Sequence, residues 1–274
     1  MSQKTPPAGS PVLLDEVLLS VLIPCYNEES TVERVVDAVR AIPIAVEIIG
    51  VDDGSTDGTL ALLRQMETAG RIDHLEVHPH NRGKGAAIHT ALEVTSGDIV
   101  IVQDADLEYD PQDIPLLLQP ILEGKADAVF GSRFRGGQPR RTLYFWHYVG
   151  NHLITLFSNV MTNLNLTDVE TGYKAIRGDL ARSLRLKSNR FGFEPEITAR
   201  LAKARARIYE RGISYAGRTY AEGKKINWKD GIAALWHILR FNLERDIPSG
   251  AAAHLAPFAA LVEARKKRHT VEAE

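Results

Sequence analysis

The run Val17-Leu18-Leu19-Ser20-Val21-Leu22-Ile23 is almost unbroken in its apolar character and stops at Pro24. A continuous run, unlike an alternating one, predicts a strand buried on both faces of a parallel sheet. Ser30 and Glu33 form a capping-box pattern, and Val32, Val35, Val36 and Val39 follow at helical spacing, so a helix is expected directly after the strand. A second apolar strand, Val46 to Val51, enters the polar loop Asp52 to Thr59, and Leu60, Leu63 and Met66 mark the next helix. The alternation continues. His74 to His78 reads as a short strand, and Asn81-Arg82-Gly83-Lys84-Gly85 leads into a helix carrying Ile88, Ala91 and Leu92. Ile99 to Val102 is another buried strand, running on to Asp104; a helix with Ile114, Leu117, Leu118, Ile121 and Leu122 and a strand from Ala126 to Gly131 come after it. The pattern predicts an α/β fold: a mostly parallel sheet with helices on both faces.

The flanks read differently. Residues 1–16 are expected to be a disordered leader. Residues 142–163 mix Tyr144, Phe145, Trp146, Leu153, Ile154 and Phe157 with His147, Asn151 and His152; this is too polar for a membrane span, and an ordinary core helix is expected. His147 and His152 are five apart, which does not place them on one helical face as a metal pair. The tail, residues 248–274, carries Leu255, Phe258 and Leu261 before Arg265-Lys266-Lys267-Arg268, which reads either as an amphipathic helix able to rest on a membrane or as a frayed, disordered end. With 274 residues, 44% of them hydrophobic, one sizeable domain is expected over 17–247. A formal net charge of −2 gives no general attraction to nucleic acid, and no nucleic-acid partner is expected. The single cysteine, Cys25, excludes an internal disulfide. No secretory signal pattern and no bilayer-length apolar run occur, so a cytoplasmic protein, peripheral to the membrane at most, is expected.

Ligands of open α/β sheets bind beyond the carboxyl ends of the strands. Pro24-Cys25-Tyr26-Asn27-Glu28, Asp52-Asp53 and Asp104-Ala105-Asp106 all follow strands at that edge. Any one of them alone reads as a turn. Together they suit a base, a ribose and a divalent cation, because two carboxylates one residue apart supply hard oxygen ligands to Mg²⁺ or Mn²⁺.

These strings, together with Asn81 to Ala87, Gln103 to Pro111 and Gly131-Ser132-Arg133-Phe134, resemble the inverting family 2 glycosyltransferases of the GT-A fold. Within that family the resemblance is to the dolichyl- and polyprenyl-phosphate mannose or glucose synthases. It is closest over residues 19–135 and continues more weakly through Thr167 to Lys174 as far as about residue 243. The resemblance implies a nucleotide-binding part, 17–110, and an acceptor part, 111–247, within one GT-A domain. It places Pro24, Tyr26, Glu28, Asp52, Asp53, Lys84, Asp104 and Ala105 around the nucleotide and Asp104 and Asp106 on the metal. Glu108 stands where the lipid-phosphate enzymes usually carry glutamine, and is expected as a third metal ligand. Ser132, Arg133 and Arg218 are expected at the acceptor phosphate, and Asp106 and Arg133 in catalysis. A nucleotide-sugar donor of GDP-mannose or UDP-glucose type and a polyprenyl-phosphate acceptor are implied. One departure concerns the acceptor: the helix near residue 144 lacks the arginine of that branch, and Arg140 and Arg141 are the candidates to replace it. A hydroxyl acceptor would instead need a base, for which Asp168, and after it Glu170, are the candidates. Glu194 and Glu196 are explained by their position at a helix start, with an acceptor-facing role as the alternative. A phosphatase of the Asp-x-Asp kind, a nicotinamide enzyme and a nucleotidyltransferase each lack their expected local pattern. A sugar-nucleotide binding protein without activity stays open.

Overall fold

The structure, a computed structural model, describes residues 12–142, 144–190, 192–217, 228–244 and 255–272. Strand alternation decides where the helices lie. In β1 (Leu18–Cys25), Leu19, Val21 and Ile23 point to one face of the sheet and Leu22 to the other, all fully buried. The first face is covered by α1 (Val32–Arg40), α2 (Thr59–Thr68) and α4 (Ile114–Leu122). The second is covered by α3 (Lys84–Val94), α6 (Gly178–Ser183) and α7 (Phe193–Lys203). Two cores thus clamp one sheet, as the unbroken apolar runs require.

The sheet has seven strands in the order β3 (His74–Val77), β2 (Ala45–Asp52), β1, β4 (Ile99–Val102), β6 (Lys174–Arg177), β5 (Ala128–Ser132), β7 (Ile208–Gly212). The first four are parallel; β6 is antiparallel to both β4 and β5, and β7 is parallel to β5. The reversal at β6 follows from the excursion after β5. The chain leaves beyond Ser132, runs out through α5 (Phe145–Thr162), and re-enters with Lys174 paired to Phe130. It therefore returns at the edge it left, beside the end of β4.

Four expectations are corrected. The Ser30–Glu33 capping box does not form: α1 begins at Val32 behind Thr31, whose hydroxyl donates to the Glu28 carboxylate at 2.7 Å. The leader is not disordered throughout, because Val12 is buried with its N–H on Leu122 O at 3.1 Å and Leu14–Glu16 forms a 3-10 turn; residues 1–11 lie outside the described residues. The tail contains a helix, α9 (Phe258–Glu272), but Phe258 and Val262 are buried in the first core, and Arg265 donates to Asp98 Oδ2 and Glu16 O, both at 2.7 Å. Its apolar side is covered by the protein itself. In α5 the only buried residues are Thr155 and Ser158, and most of its large apolar side chains face outward, opposite to an ordinary core helix.

Candidate active site

Cys25 and Asp52 are paired neighbours at the carboxyl ends of β1 and β2, so the loops that follow open side by side. Side chains tie the two loops together: Asn27 N–H donates to Ser55 Oγ at 3.1 Å, Thr56 N–H to Asn27 Oδ1 at 2.8 Å, and Glu28 N–H to Thr59 Oγ1 at 2.9 Å. Asn27 takes φ 55°, a left-handed conformation that asparagine tolerates better than most residues. Tyr26 is exposed on this loop and Pro24 half-buried at its base. Asp52 Oδ2 accepts from Ser55 N–H at 3.1 Å, while Oδ1 is buried with no protein partner. A buried acceptor without a partner is costly, and a ligand N–H or O–H removes that cost. Asp53 differs from the expectation of a base or ribose contact. Its oxygens are taken by Arg82 N–H at 2.9 Å, Gly83 N–H at 2.7 Å and the His78 ring at 2.7 Å, so it shapes the loop ahead of α3.

That loop delivers Lys84 to the carboxylates beyond β4. Gly83 adopts φ 101°, and a Cβ on Gly85 would stand 2.0 Å from Ser188 O, so the glycines let the 188–190 backbone pack against the start of α3. Gly85→Ala is therefore expected to lower the melting temperature by several degrees and to weaken nucleotide binding, measured by calorimetry; an unchanged melting curve would contradict this packing.

Lys84 Nζ lies 2.7 Å from Asp104 Oδ1 and 3.2 Å from Glu194 Oε1. Burial works against its charge, but these two carboxylates override it and hold the Lys84 pKa above the ordinary lysine value. A Cβ on Gly172 would stand 2.9 Å from Asp104 Oδ2, so only glycine leaves that oxygen its place. Ala105 is buried, and Asp106 Oδ1 accepts from Glu108 N–H at 3.2 Å across Leu107, itself at φ 60°. A leucine held there carries strain on the order of 1 kcal/mol, which functional loops often retain. Glu108 does not join the two aspartates: its Oε2 accepts from the Tyr215 hydroxyl at 2.6 Å, and its carbonyl oxygen accepts from Ala216 N–H at 2.9 Å. Among the described residues no group of three acidic, histidine or cysteine side chains is arranged to hold a metal. Glu108 is thus held by Tyr215 rather than beside Asp104 and Asp106, the other two expected ligands. The pair retains the hard-oxygen chemistry that suits Mg²⁺ or Mn²⁺, and an ammonium already rests against Asp104.

On the other side of this loop stands Arg133, just past β5. Its Nε and Nη2 donate to Asp168 Oδ2 and Oδ1, each at 2.7 Å, and its N–H adds a third bond at 3.0 Å. Asp168 is fully buried and the Arg133 side chain only 12% exposed. The guanidinium lies 5.3 Å from the Tyr215 ring centroid; Tyr215 tilts against Tyr109, which stacks on Tyr173. Ser132, expected at the acceptor phosphate, is fully buried: its Oγ bonds Thr167 Oγ1 at 2.7 Å and accepts from Phe134 and Arg135 N–H, both at 3.2 Å. It holds the loop rather than facing it. Arg140 donates to Arg133 O at 2.7 Å and Arg141 to Gly217 O at 3.2 Å. Arg218 lies outside the described residues. Glu170 Oε1 is buried without a partner, and burial, followed by the nearby Glu194 carboxylate, pushes the Glu170 pKa up. Lys174, placed beneath it with Nζ on Val169 O at 3.0 Å, is pushed down by burial.

Sequence reasoning missed His78, Tyr109 and Tyr215, and the pairing of Glu194 with Lys84. Glu194 was explained as a helix-start residue, and nothing local signals a partner 110 positions away.

Comparison with known proteins bears on the family and the fold. The pattern of the family "Glycosyl transferase family 2" matches residues 20–185. The low-salt glycan biosynthesis hexosyltransferase Agl6 of Haloferax volcanii is 30% identical over 229 residues, which cover 82% of this chain and 53% of that protein. The chain thus spans about half the length of that relative. An undecaprenyl-phosphate mannosyltransferase of Micrococcus luteus is 29% identical over 246 residues, covering 81% of this chain and 97% of that one. Among solved structures, glucosyl-3-phosphoglycerate synthase of Mycobacterium tuberculosis, crystallised with Mn²⁺, uridine diphosphate and glucosyl-3-phosphoglycerate, superposes with a TM-score of 0.63 at 23% identity, covering 84% of this chain and 81% of that one. It shares the GT-A fold. By the family match and the Haloferax relative together, this chain belongs to glycosyl transferase family 2.

Proposed function

We propose that the chain moves a hexose from a nucleoside diphosphate sugar to a polyprenyl phosphate, with inversion at the anomeric carbon. The observation that carries the acceptor is the Arg133–Asp168 pair. Both Asp168 oxygens are committed to the Arg133 guanidinium, which leaves no free base at Asp168 and supports a reading in which the remaining guanidinium edge meets an anionic acceptor. A phosphate monoester is already an anion near neutral pH and needs no base, whereas a sugar hydroxyl does. The named activity of the Micrococcus relative supports the same acceptor class.

In this reading the parts 17–110 and 111–247 divide the work between donor and acceptor. Asp52 Oδ1 accepts from the base or ribose, and the loop of Tyr26 and Glu28 closes over the nucleoside. Asp104 and Asp106 would hold the divalent cation, which when bound supplies positive charge against the departing nucleoside diphosphate. Lys84, kept in place by Glu194, would turn N–H donors from Asp104 to the diphosphate oxygens. Arg133, fixed by Asp168 and backed by the Tyr215 ring, orients the acceptor phosphate for in-line attack.

A saccharide or small-molecule hydroxyl acceptor is a second reading, favoured by one observation: Glu170 presents a buried carboxyl oxygen with no partner and a raised pKa. A panel of GDP- and UDP-sugars with Mn²⁺ or Mg²⁺, tested against polyprenyl phosphate and against free sugars, separates the two. Transfer to the lipid phosphate is expected, with Asp106→Ala lowering it by roughly 1,000-fold. Turnover with sugar hydroxyls alone would establish the second reading. Turnover with no donor would leave a binding protein.

A further inference from the structure

Helix α5 is built inside out. Its inward side is small and polar: Thr155 and Ser158 are buried, Thr155 Oγ1 accepts from Val169 N–H at 3.2 Å, and Asn159 exchanges bonds with the Leu166 backbone at 2.8 and 3.0 Å. Its outward side is apolar. Trp146, Leu153, Leu156 and Val160 are 77, 60, 60 and 72% exposed, and their spacing of seven, three and four places them along one stripe. No Asp, Glu, Lys or Arg occurs among the 18 residues of α5. Beside it runs α8 (Trp228–Leu243), close enough that a Cβ on Gly231 would touch Ile154. There Ile232 and Trp236, four apart, are 58 and 61% exposed. The two helices together hold all three tryptophans of the chain. A surface seldom exposes so many large apolar side chains on two adjacent helices without a use for them.

We infer that the α5–α8 face docks onto an anionic phospholipid bilayer and places the Arg133 loop at the headgroup level. Two observations single out this occupant. The face is continuous with the acceptor side: Phe134, next to Arg133, meets Tyr148 edge-on at 5.4 Å and His152 at 5.1 Å. A ligand whose phosphate reaches Arg133 therefore has an apolar surface directly in line for its chain. The charge is also segregated, since the uncharged stripe begins where Arg135, Arg140 and Arg141 stand exposed, and aromatic side chains beside arginines suit the boundary between headgroups and acyl chains. No helix among the described residues is long and apolar enough to cross a membrane, so α5 lies on the bilayer.

The inference rests on the lipid-phosphate reading for its purpose, yet it is tested separately. Co-sedimentation with phosphatidylglycerol–phosphatidylcholine vesicles is compared with vesicles of phosphatidylcholine alone, and tryptophan emission is followed in parallel. Binding to the anionic vesicles with a blue shift is expected, and the triple variant Trp146→Glu, Leu153→Glu, Val160→Glu is expected to lose at least 10-fold in vesicle affinity. The replaced side chains are exposed, so circular dichroism and nucleotide binding should match the parent; the variant Leu13→Glu, exposed elsewhere, controls for added charge. Vesicle binding that is absent, or equal in parent and triple variant, overturns the inference. So does a parent dimer that the substitutions dissociate without changing vesicle binding, which would assign the face to a second copy. Transfer to a short-chain, detergent-soluble polyprenyl phosphate reports on the acceptor independently: if transfer fails while vesicle binding depends on the stripe, the surface stands and the acceptor reading falls.

Discussion

Replacing Lys84 by alanine is expected to lower sugar transfer by roughly 100- to 1,000-fold and the unfolding free energy by about 3 kcal/mol. Lys84 lies between Asp104 and Glu194, with 21% of its own side chain and 8% of that of Glu194 exposed. Removing the ammonium leaves two carboxylates facing each other with little water to screen them, the costly way of breaking a buried pair. The lower end of the usual range applies because Lys84 and Asp104 retain some solvent contact. Adding Glu194→Gln to Lys84→Ala removes one of the two orphaned charges, so most of the stability should return while transfer does not. Chemical denaturation and steady-state kinetics on the two variants decide the matter. If Lys84→Ala unfolds at the same denaturant concentration as the parent, the bridge contributes nothing in solution.

Asp168→Asn is expected to leave a folded enzyme with transfer reduced by roughly 100-fold, the loss appearing in KM for the acceptor more than in kcat. The argument is geometric. Asp168 gives both oxygens and a backbone contact to Arg133, so its role is to aim a guanidinium rather than to take a proton. Asparagine retains one acceptor oxygen and loses the bidentate charge pair. The pH profile of kcat should keep its shape, whereas loss of a general base would remove the acidic limb. Asp168→Ala should be worse for the fold, by about 3–5 kcal/mol, because Arg133 then stays buried without its partner. Pairing Asp168→Leu with Arg133→Met should recover stability and leave transfer abolished.

The sheet was legible because its strands are buried on both faces and therefore appear as unbroken apolar runs: Leu19 to Ile23, Ile48 to Val51 and Ile99 to Val102 all lie where the pattern puts them. The acidic loops were legible for a related reason, since they directly follow those runs. Beyond β5 the pattern says less. A window over 145–162 registers that apolar residues recur, but not that Thr155 and Ser158 point inward; that depends on the backbone of 166–169, which needs hydrogen-bond partners. Likewise Glu108 carries the composition of a metal ligand, and only the arrival of Tyr215 from beyond β7 turns it aside. Asp53 looked equivalent to Asp52, yet the two differ completely once Arg82 and Gly83 fold back onto one of them. Pairings made over long sequence separations decide these roles, and local spacing does not contain them.

The pairing of Phe130 with Lys174 has a consequence for how such a chain can diversify. Everything between those positions leaves the sheet and comes back to adjacent strands, so its two ends are fixed neighbours whatever lies between. An exchange of residues 133–173 between relatives would carry Arg133, Asp168 and α5 together with no strand recut, provided Gly172 and Tyr173 are kept against Asp104 and Tyr109. A cut at residue 110 would do the opposite, stripping β4 of its partner β6 and leaving an unpaired edge in the middle of the sheet. On the proposed reading, acceptor choice could therefore be exchanged as a unit, whereas residues 17–110 alone would expose the edge of β4.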